Sequence, residues 1–169
     1  MKGVLLVNLG SPKSPTPKDL KPYLEEFLMD ERVIDFPKWL RTILVKGIIL
    51  KTRPRRSAKA YKKIWWKEGS PLIVLSKRLF NKVKKLVKIP VALAMRYGSM
   101  SIINGLKELH EIGVNEVIVL PLYPHYAMSS YETVVEKVKK EVRLKFPSIK
   151  LKIIDPFYNN CLLYTSPSP

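Results

Sequence analysis

The 169-residue sequence has little cysteine, few acidic residues and no long apolar run. Its single cysteine, Cys161, excludes a disulfide framework and a zinc site built on several thiolates. The N-terminus leads straight into a strand-like run without a small-residue cleavage site, so we expect no secretory signal. The most apolar stretch, residues 39–50, is too short for a membrane span and contains Arg41 and Lys46. These absences predict a cytoplasmic protein.

The shortage of acidic residues is confined to one part of the chain. The whole sequence holds 31 Lys and Arg against 14 Asp and Glu. Residues 36–107 hold 19 of the basic residues and one acidic residue, Glu68, which gives this region +18 and leaves −1 for the rest. Such a region indicates an anionic partner, which could be a nucleic acid, a membrane surface, a carboxylated ligand or an acidic domain.

Short apolar runs alternate with helix signals along the chain. Strands are predicted at residues 3–8, 91–95, 116–122 and 151–154. Helices are predicted at residues 17–29, 36–50, 57–66, 71–87, 101–112 and 129–146, with residues 52–56 as an interruption and Ser129 and Glu132 as a capping box. This order predicts an α/β fold with a doubly wound, parallel four-stranded sheet. We expect no element after residue 158 and interpret residues 159–169 as a truncated or non-native tail.

Polar and aromatic residues follow the predicted strands, at the edge of an open α/β sheet where ligands bind. The residues that we expect at this edge are Arg96, Tyr97, Tyr123, His125, Tyr126, Ser129 and Ser130, with no carboxylate. Aromatic faces, one arginine and hydroxyls suit a flat, partly anionic molecule, although Tyr97 and Tyr123 could equally cap the sheet. The turn after the first strand lacks a glycine-rich nucleotide fingerprint, and two isolated histidines do not make a metal site.

The basic segment at residues 51–63 lies among aromatic residues, and this combination has two interpretations. Basic and aromatic residues together are typical of nucleic-acid binding, but no recognised nucleic-acid module is present. The apolar stretch at residues 39–50 beside the segment favours a membrane surface or an amphiphilic ligand, because cations contact lipid phosphates while Trp, Ile and Leu enter the interface. We therefore expect no nucleic-acid partner.

Seven stretches of the sequence, in this order, resemble the ferrochelatase family, whose members insert ferrous iron into a porphyrin to make haem. They are LLVNLGSP at 5–12, PTP at 15–17, YLEEFLMDERVIDFP at 23–37, GIILKTRPRRSAKAYKKIW at 47–65, EGSPL at 68–72, AMRYG at 94–98 and LPLYPHY at 120–126. Their order and spacing over residues 3–158 make the resemblance specific. It implies a chelatase-type, Rossmann-like lobe at residues 1–158, one of two similar lobes that hold the porphyrin between them.

The resemblance also implies which residues face the porphyrin. Arg96, Tyr97 and Tyr123 match residues that line the macrocycle pocket. Tyr61 and Ser70 match positions that contact or orient a propionate, and Arg53 and Arg56 match its basic partners. Leu9 falls at a variable position that faces the metal site, and leucine cannot bind iron.

Other implications concern the metal, the membrane and the missing half. The family's iron-binding and proton-accepting His and Glu lie in the C-terminal lobe, so the resemblance implies no catalytic residue and no metal ligand in this half. Ferrous iron is a substrate, and no iron–sulfur cluster is expected because no cysteine lies near Met128. Residues 37–56 resemble the family's pocket lip, which implies peripheral membrane contact.

The sequence therefore predicts the porphyrin-holding half of a ferrochelatase, inactive without its other lobe. Protoporphyrin IX and coproporphyrin III both remain open as substrates. A related porphyrin or corrin chelatase is a rival, but the two histidines do not form the facing pair that such enzymes often carry. The rival from another class is a basic α/β module that binds an anionic membrane surface or nucleic acid.

Overall fold

A computed structural model of the chain describes residues 1–165. Its centre is a four-stranded sheet in which every pair of neighbouring strands is parallel and the order is β2-β1-β3-β4. The strands are β1 (Lys2–Ser11), β2 (Val91–Gly98), β3 (Glu116–Pro121) and β4 (Lys150–Ile153). The predicted parallel α/β sheet is confirmed, and β1 pairs with a strand on each side.

Helices cover both faces of this sheet. In chain order they are α1 (Pro17–Leu28), α2 (Lys38–Thr42), a π-helical segment (Ile43–Ile49), α3 (Leu50–Ile64), α4 (Pro71–Leu86), α5 (Ile102–Glu111), α6 (Thr133–Lys145) and the short α7 (Cys161–Tyr164). The predicted signals at α1 are confirmed: Thr16 is the N-cap and accepts from the Asp19 N–H, and a proline opens the first turn. Gly113, with φ of 83°, follows the C-cap of α5 as predicted.

Two hydrophobic clusters hold these layers together. On one face, residues of all four strands pack against α5 and α6, with Leu5, Val117 and Val138 fully buried. On the other face, α1 and α3 enclose a smaller cluster that includes Tyr97. Because β1 is buried on both faces, it needs apolar residues in succession and cannot show the alternating pattern of a half-exposed strand.

The predicted interruption at residues 52–56 is wrong, because one helical run continues from Lys38 to Ile64. Pro54 lies inside α3 and is buried with Leu50 and Ala58. The carbonyl that its missing N–H would reach is that of Leu50, the first residue after the π-helical segment, where the i to i−4 ladder of hydrogen bonds is already irregular and the missing bond costs less. Burial of the proline ring therefore outweighs its usual effect as a helix breaker.

Two further local predictions are wrong. Ser129 does not cap a helix, because residues Met128–Glu132 are π-helical with Ala127 at the N-cap, and the Glu132 carboxylate instead accepts from the Tyr126 hydroxyl. An element does follow residue 158, since α7 begins after Asn160, whose side chain accepts from two backbone N–H groups. Of the predicted tail, residues 166–169 lie outside the described residues.

Candidate functional site

The carboxyl ends of β1, β2 and β3 lie side by side at one edge of the sheet, where the sequence placed the candidate site. β1 and β2 stay paired as far as Ser11 and Gly98. Gly10 has φ of 102°, and a Cβ on it would lie 1.9 Å from the Tyr97 carbonyl oxygen. Glycine is required here because only a residue without a side chain permits both this φ and this close approach.

Three tyrosines surround this edge, of which Tyr23 and Tyr97 are buried and Tyr123 is half-buried. Tyr97 at the end of β2 is 1% exposed, and its ring meets Phe27 edge to face at a centroid distance of 5.2 Å. Tyr23 of α1 donates to the Gly10 carbonyl at 3.3 Å. Burial raises the pKa of Tyr23, Tyr97 and Tyr123 well above the ordinary value of a phenol. All three therefore stay protonated at neutral pH and do not act as bases. Tyr23 and Tyr97 already donate to Gly10 and Asp30, so the Tyr123 hydroxyl is the donor left for a ligand.

A buried carboxylate also lies at this edge, which corrects the expectation that there would be none. Asp30 follows α1, and its Oδ2 accepts from the Tyr97 hydroxyl at 2.9 Å and from the Thr133 hydroxyl at 2.5 Å. The same oxygen pairs with the Arg96 guanidinium, whose Nε donates to Thr133 Oγ1 at 2.7 Å. The expectation failed because it considered only residues after the strands, whereas Asp30 comes from the loop between α1 and α2.

This ion pair determines what Arg96 can offer to a ligand. Burial alone would raise the pKa of Asp30, but hydrogen bonds from Thr133 and from the Arg32 N–H, together with the charge of Arg96, hold it below its usual value. The side chains of Asp30 and Arg96 are only 6% and 12% exposed. A ligand carboxylate at this place would have to share the guanidinium with Asp30.

Two hydroxyls at the edge have no hydrogen-bond partner among the described residues. They are Ser11 Oγ at the end of β1 and the Tyr123 hydroxyl just after β3, and both atoms are buried. Buried polar groups are nearly always satisfied, so these two hydroxyls at the ligand-binding edge of an α/β sheet are candidates to donate to a bound molecule or to water.

The ferrochelatase family model matches residues 1–166. The chain belongs to the ferrochelatase family. It is 48% identical over 162 residues to a ferrochelatase of Opitutus terrae, covering 94% of this chain and 47% of that protein. Ferrochelatases of Azotobacter vinelandii and Pseudomonas syringae pv. tomato are 49% and 50% identical over 156 and 157 residues, each covering 92% of this chain and 46% of the relative. The chain thus spans about half the length of these curated relatives.

The remaining candidates of this ferrochelatase-family chain lie on or beside α3. Arg53 and Arg56 are exposed, one helical turn apart, and line a cavity of 630 Å³ together with Ile48 and Ile49. The residues lining this cavity do not include Arg96, Tyr97 or Tyr123. The structure therefore divides the predicted residues between an edge rich in tyrosine and a separate basic groove.

Three other candidates connect these two places or lie beside them. Tyr61 and Leu9 are half-buried and pack against the cluster that contains Tyr23 and Tyr97. Ser70 is the N-cap residue of α4 and is buried, but its hydroxyl does not cap that helix. Tyr61 thus lies on the same helix as Arg53 and Arg56 while its ring reaches the tyrosine cluster.

Sequence reasoning missed Asp30, Thr133 and Tyr23. Asp30 and Tyr23 lie within the resembling stretch at residues 23–37, so the resemblance was the signal that could have found them. Thr133 had no such signal, because only the tertiary fold brings it to Arg96. Within residues 1–165 no group of three His, Cys, Asp or Glu could hold a metal ion, and no helix has the length and apolar character to cross a membrane.

Proposed function

We propose that this chain is the porphyrin-holding half of a ferrochelatase, which inserts ferrous iron into protoporphyrin IX or coproporphyrin III in the last steps of haem biosynthesis. The match of the family model over residues 1–166 carries the proposal. The edge supports it, because the half-buried ring of Tyr123 can stack on a macrocycle and the two unpaired hydroxyls can donate to it, while the buried Tyr97 belongs to the support beneath. Arg53 and Arg56 would hold its propionates.

The chemistry of the site also supports the proposal that this half is inactive alone. Metal insertion requires a base, since two pyrrole protons must leave the porphyrin. The tyrosines at the edge are held protonated, the buried carboxylate of Asp30 is already paired with Arg96, and the Glu26 carboxylate accepts from the Gly98 N–H. The proton acceptor and the ligands of the ferrous substrate would then belong to the C-terminal lobe. A single cysteine likewise cannot supply the ligands of an iron–sulfur cluster.

An uncovered face of α4 supports the proposal that a second lobe exists. Leu75, Leu79 and Leu86 are between 41% and 84% exposed, although they lie on the apolar side of this helix. Leu75 and Leu79 line an apolar cavity of 470 Å³ with Phe157 and Leu163, next to the C-terminal end of the described chain. Apolar surface of this kind usually marks an interface, and the polypeptide that continues in the longer relatives would cover it.

The function predicts that replacing both Arg53 and Arg56 with glutamine weakens porphyrin binding about tenfold, since two exposed charge pairs together contribute about 1.4 kcal/mol. Quenching of porphyrin fluorescence by the purified chain gives the affinity. Zinc insertion is followed in the same samples, where we expect none above a no-protein control.

The matched control is the double variant Lys82→Gln, Lys85→Gln on α4. These two exposed lysines have the same spacing and total charge as the arginine pair, so the control should leave quenching unchanged. Equal weakening by both variants would show a general charge effect. Salt-dependent DNA binding without porphyrin quenching would favour the basic module instead, and zinc insertion by the chain alone would overturn its inactivity.

We also propose that this protein is cytoplasmic and that its residues 37–56 form a lip that contacts a membrane surface peripherally. Through this lip it would take porphyrin from the membrane. Trp39, Ile43 and Ile48 are 66%, 58% and 61% exposed on one helical run with Arg53 and Arg56. Exposed apolar side chains beside cations fit an anionic lipid interface.

Replacing Trp39 and Ile43 with serine should therefore weaken binding to vesicles of phosphatidylglycerol and phosphatidylcholine by roughly 30-fold, since two large side chains would leave the interface. Co-sedimentation with the vesicles measures the loss. The control is Ile112→Ser with Leu144→Ser, two exposed apolar residues outside the lip. Unchanged sedimentation of the lip variant would contradict the lip.

A further inference from the structure

A second, strongly basic cavity adjoins the tyrosine-lined edge through Asp30, Arg96 and Thr133, and the function proposed above uses none of its other cations. It has a volume of 580 Å³ and lies between α6 and the loop that joins α1 to α2. Seven of its lining residues are basic and three are acidic, namely Arg32, Arg41, Arg96, Lys137, Lys139, Lys140 and Arg143 against Asp30, Glu31 and Glu136. A neighbouring cavity of 570 Å³ shares Glu31, Arg32 and Arg41.

Arg41 of α2 is the unusual residue of this cavity. It is 7% exposed, and its Nη1 donates to the carbonyl oxygens of Ile34 and Phe36, both at 3.1 Å. Its Nε is buried without an acceptor among the described residues, and none of their carboxylates pairs with it. A buried guanidinium without a counter-charge is costly, because neither water nor an anion then compensates it.

The other cations differ in whether they are neutralised. Ion pairs neutralise Arg96, Lys137 and Lys139 through Asp30, Glu141 and Glu136. Arg32 contacts Glu31 and Glu132, yet its buried Nε also lacks a hydrogen-bond acceptor. Within the described chain, Lys140 and Arg143 of α6 form no ion pair. The uncompensated charge thus comes from two sides of the cavity, from Arg41 on one and from Lys140 and Arg143 on the other.

We propose that this cavity binds a phosphate group. Planar guanidinium groups match the paired oxygens of phosphate, and Arg41, Arg32 and Arg143 all line the cavity while Lys140 adds a point charge. A multivalent anion would neutralise Arg41, Lys140 and Arg143 together, which a single carboxylate could not. The volume exceeds the need of inorganic phosphate and suits a small phosphate-bearing molecule or a lipid headgroup. It shares only Arg96 with the porphyrin proposal, and the variants used below leave Arg96 in place, so the two proposals can fail separately.

The test uses inorganic pyrophosphate as the probe. Isothermal calorimetry at fixed ionic strength in chloride should show binding to this chain, and pyrophosphate should raise its urea midpoint. The double variant Lys140→Gln, Arg143→Gln removes two exposed charges that are unpaired within residues 1–165, so it should fold normally. It should bind at least about tenfold more weakly, since charge-assisted hydrogen bonds are lost. Arg41→Gln should bind more weakly still.

The control is Lys82→Gln, Lys85→Gln, which should bind pyrophosphate as the unchanged chain does. A second arm replaces pyrophosphate with phosphatidic acid in phosphatidylcholine vesicles. If the double variant Lys140→Gln, Arg143→Gln of α6 (the α6 variant) binds pyrophosphate more weakly, the ligand is a soluble phosphate. If it loses only vesicle binding, the ligand is a lipid headgroup. If neither arm distinguishes the α6 variant from the control, the proposal is overturned, whatever Arg41→Gln does to folding.

Discussion

Replacement of Asp30 with asparagine is expected to lower the free energy of unfolding by about 3 kcal/mol, because removing one partner of a buried ion pair leaves the other charge uncompensated. Asp30 and Arg96 have nearly fully buried side chains, and the Asp30 carboxylate also accepts from Tyr97 and Thr133. Urea unfolding of the purified chain at pH 7 measures the loss. The matched control, Asp35→Asn, removes the same charge from an exposed carboxylate in the same loop and should change stability little.

The pH dependence of this difference provides a second check. The folded state lowers the pKa of Asp30, so its stabilisation is fully present above about pH 4, the ordinary value for an aspartate, and is lost as the pH falls through the lower folded value. The gap in unfolding free energy between the unchanged chain and Asp30→Asn should therefore narrow on acidification. A gap that stays constant from pH 7 to pH 3, or a change equal to that of Asp35→Asn, would contradict a role for the ion pair.

Under the proposed function, Asp30 would be a positioning residue that sets the orientation of Arg96 and Tyr97 at the tyrosine-lined edge. Asparagine keeps a hydrogen-bond acceptor for Tyr97 and Thr133 but removes the charge opposite Arg96. The Asp30→Asn variant should then quench porphyrin fluorescence more strongly although it is less stable, because the freed Arg96 guanidinium can pair with a propionate. This separation would distinguish positioning from simple stabilisation of the fold.

The parts of this structure that sequence could predict depend on local patterns. Four apolar runs predicted the strands, and caps at Thr16 and Gly113 marked helix ends, because these signals involve neighbours in the chain. The prediction failed at Pro54 and at Ser129, where tertiary packing and π-helical turns override local preference. It failed for the carboxylate at the edge for a related reason, since Asp30 and Thr133 are 103 residues apart and only the fold joins them.

The candidate site likewise combines features that local sequence patterns predict with features that depend on tertiary packing. Tyr97 and Tyr123 follow predicted strands, so their place at one edge followed from topology alone. The ion pair that occupies Arg96 and the unpaired hydroxyl of Tyr123 were invisible in the sequence, because burial and partners are properties of packed side chains. The uncompensated charge of Arg41 is of the same kind, since sequence showed only one more arginine in a basic region.

Replacement of Gly10 with alanine is expected to destabilise the fold by about 3 kcal/mol, because a left-handed φ strains any side chain and the added atom would collide with the backbone. A Cβ would lie 1.9 Å from the Tyr97 carbonyl oxygen, and backbone cannot move aside as a flexible side chain can. β1 and β2 would have to separate where they bring Leu9 and Tyr97 to the site. The urea midpoint and porphyrin quenching should therefore fall together.

The control is Gly47→Ala, which makes the same chemical change in the π-helical segment. A Cβ on Gly47 meets no atom within 4 Å, so this variant should be neutral or more stable by up to about 1 kcal/mol, as is usual for alanine replacing glycine in a helix. Because the two variants are expected to change stability in opposite directions, the comparison identifies the backbone contact between β1 and β2 as the cause. If Gly10→Ala unfolds at the same urea concentration as the unchanged chain, the close approach of these strands does not require glycine at position 10.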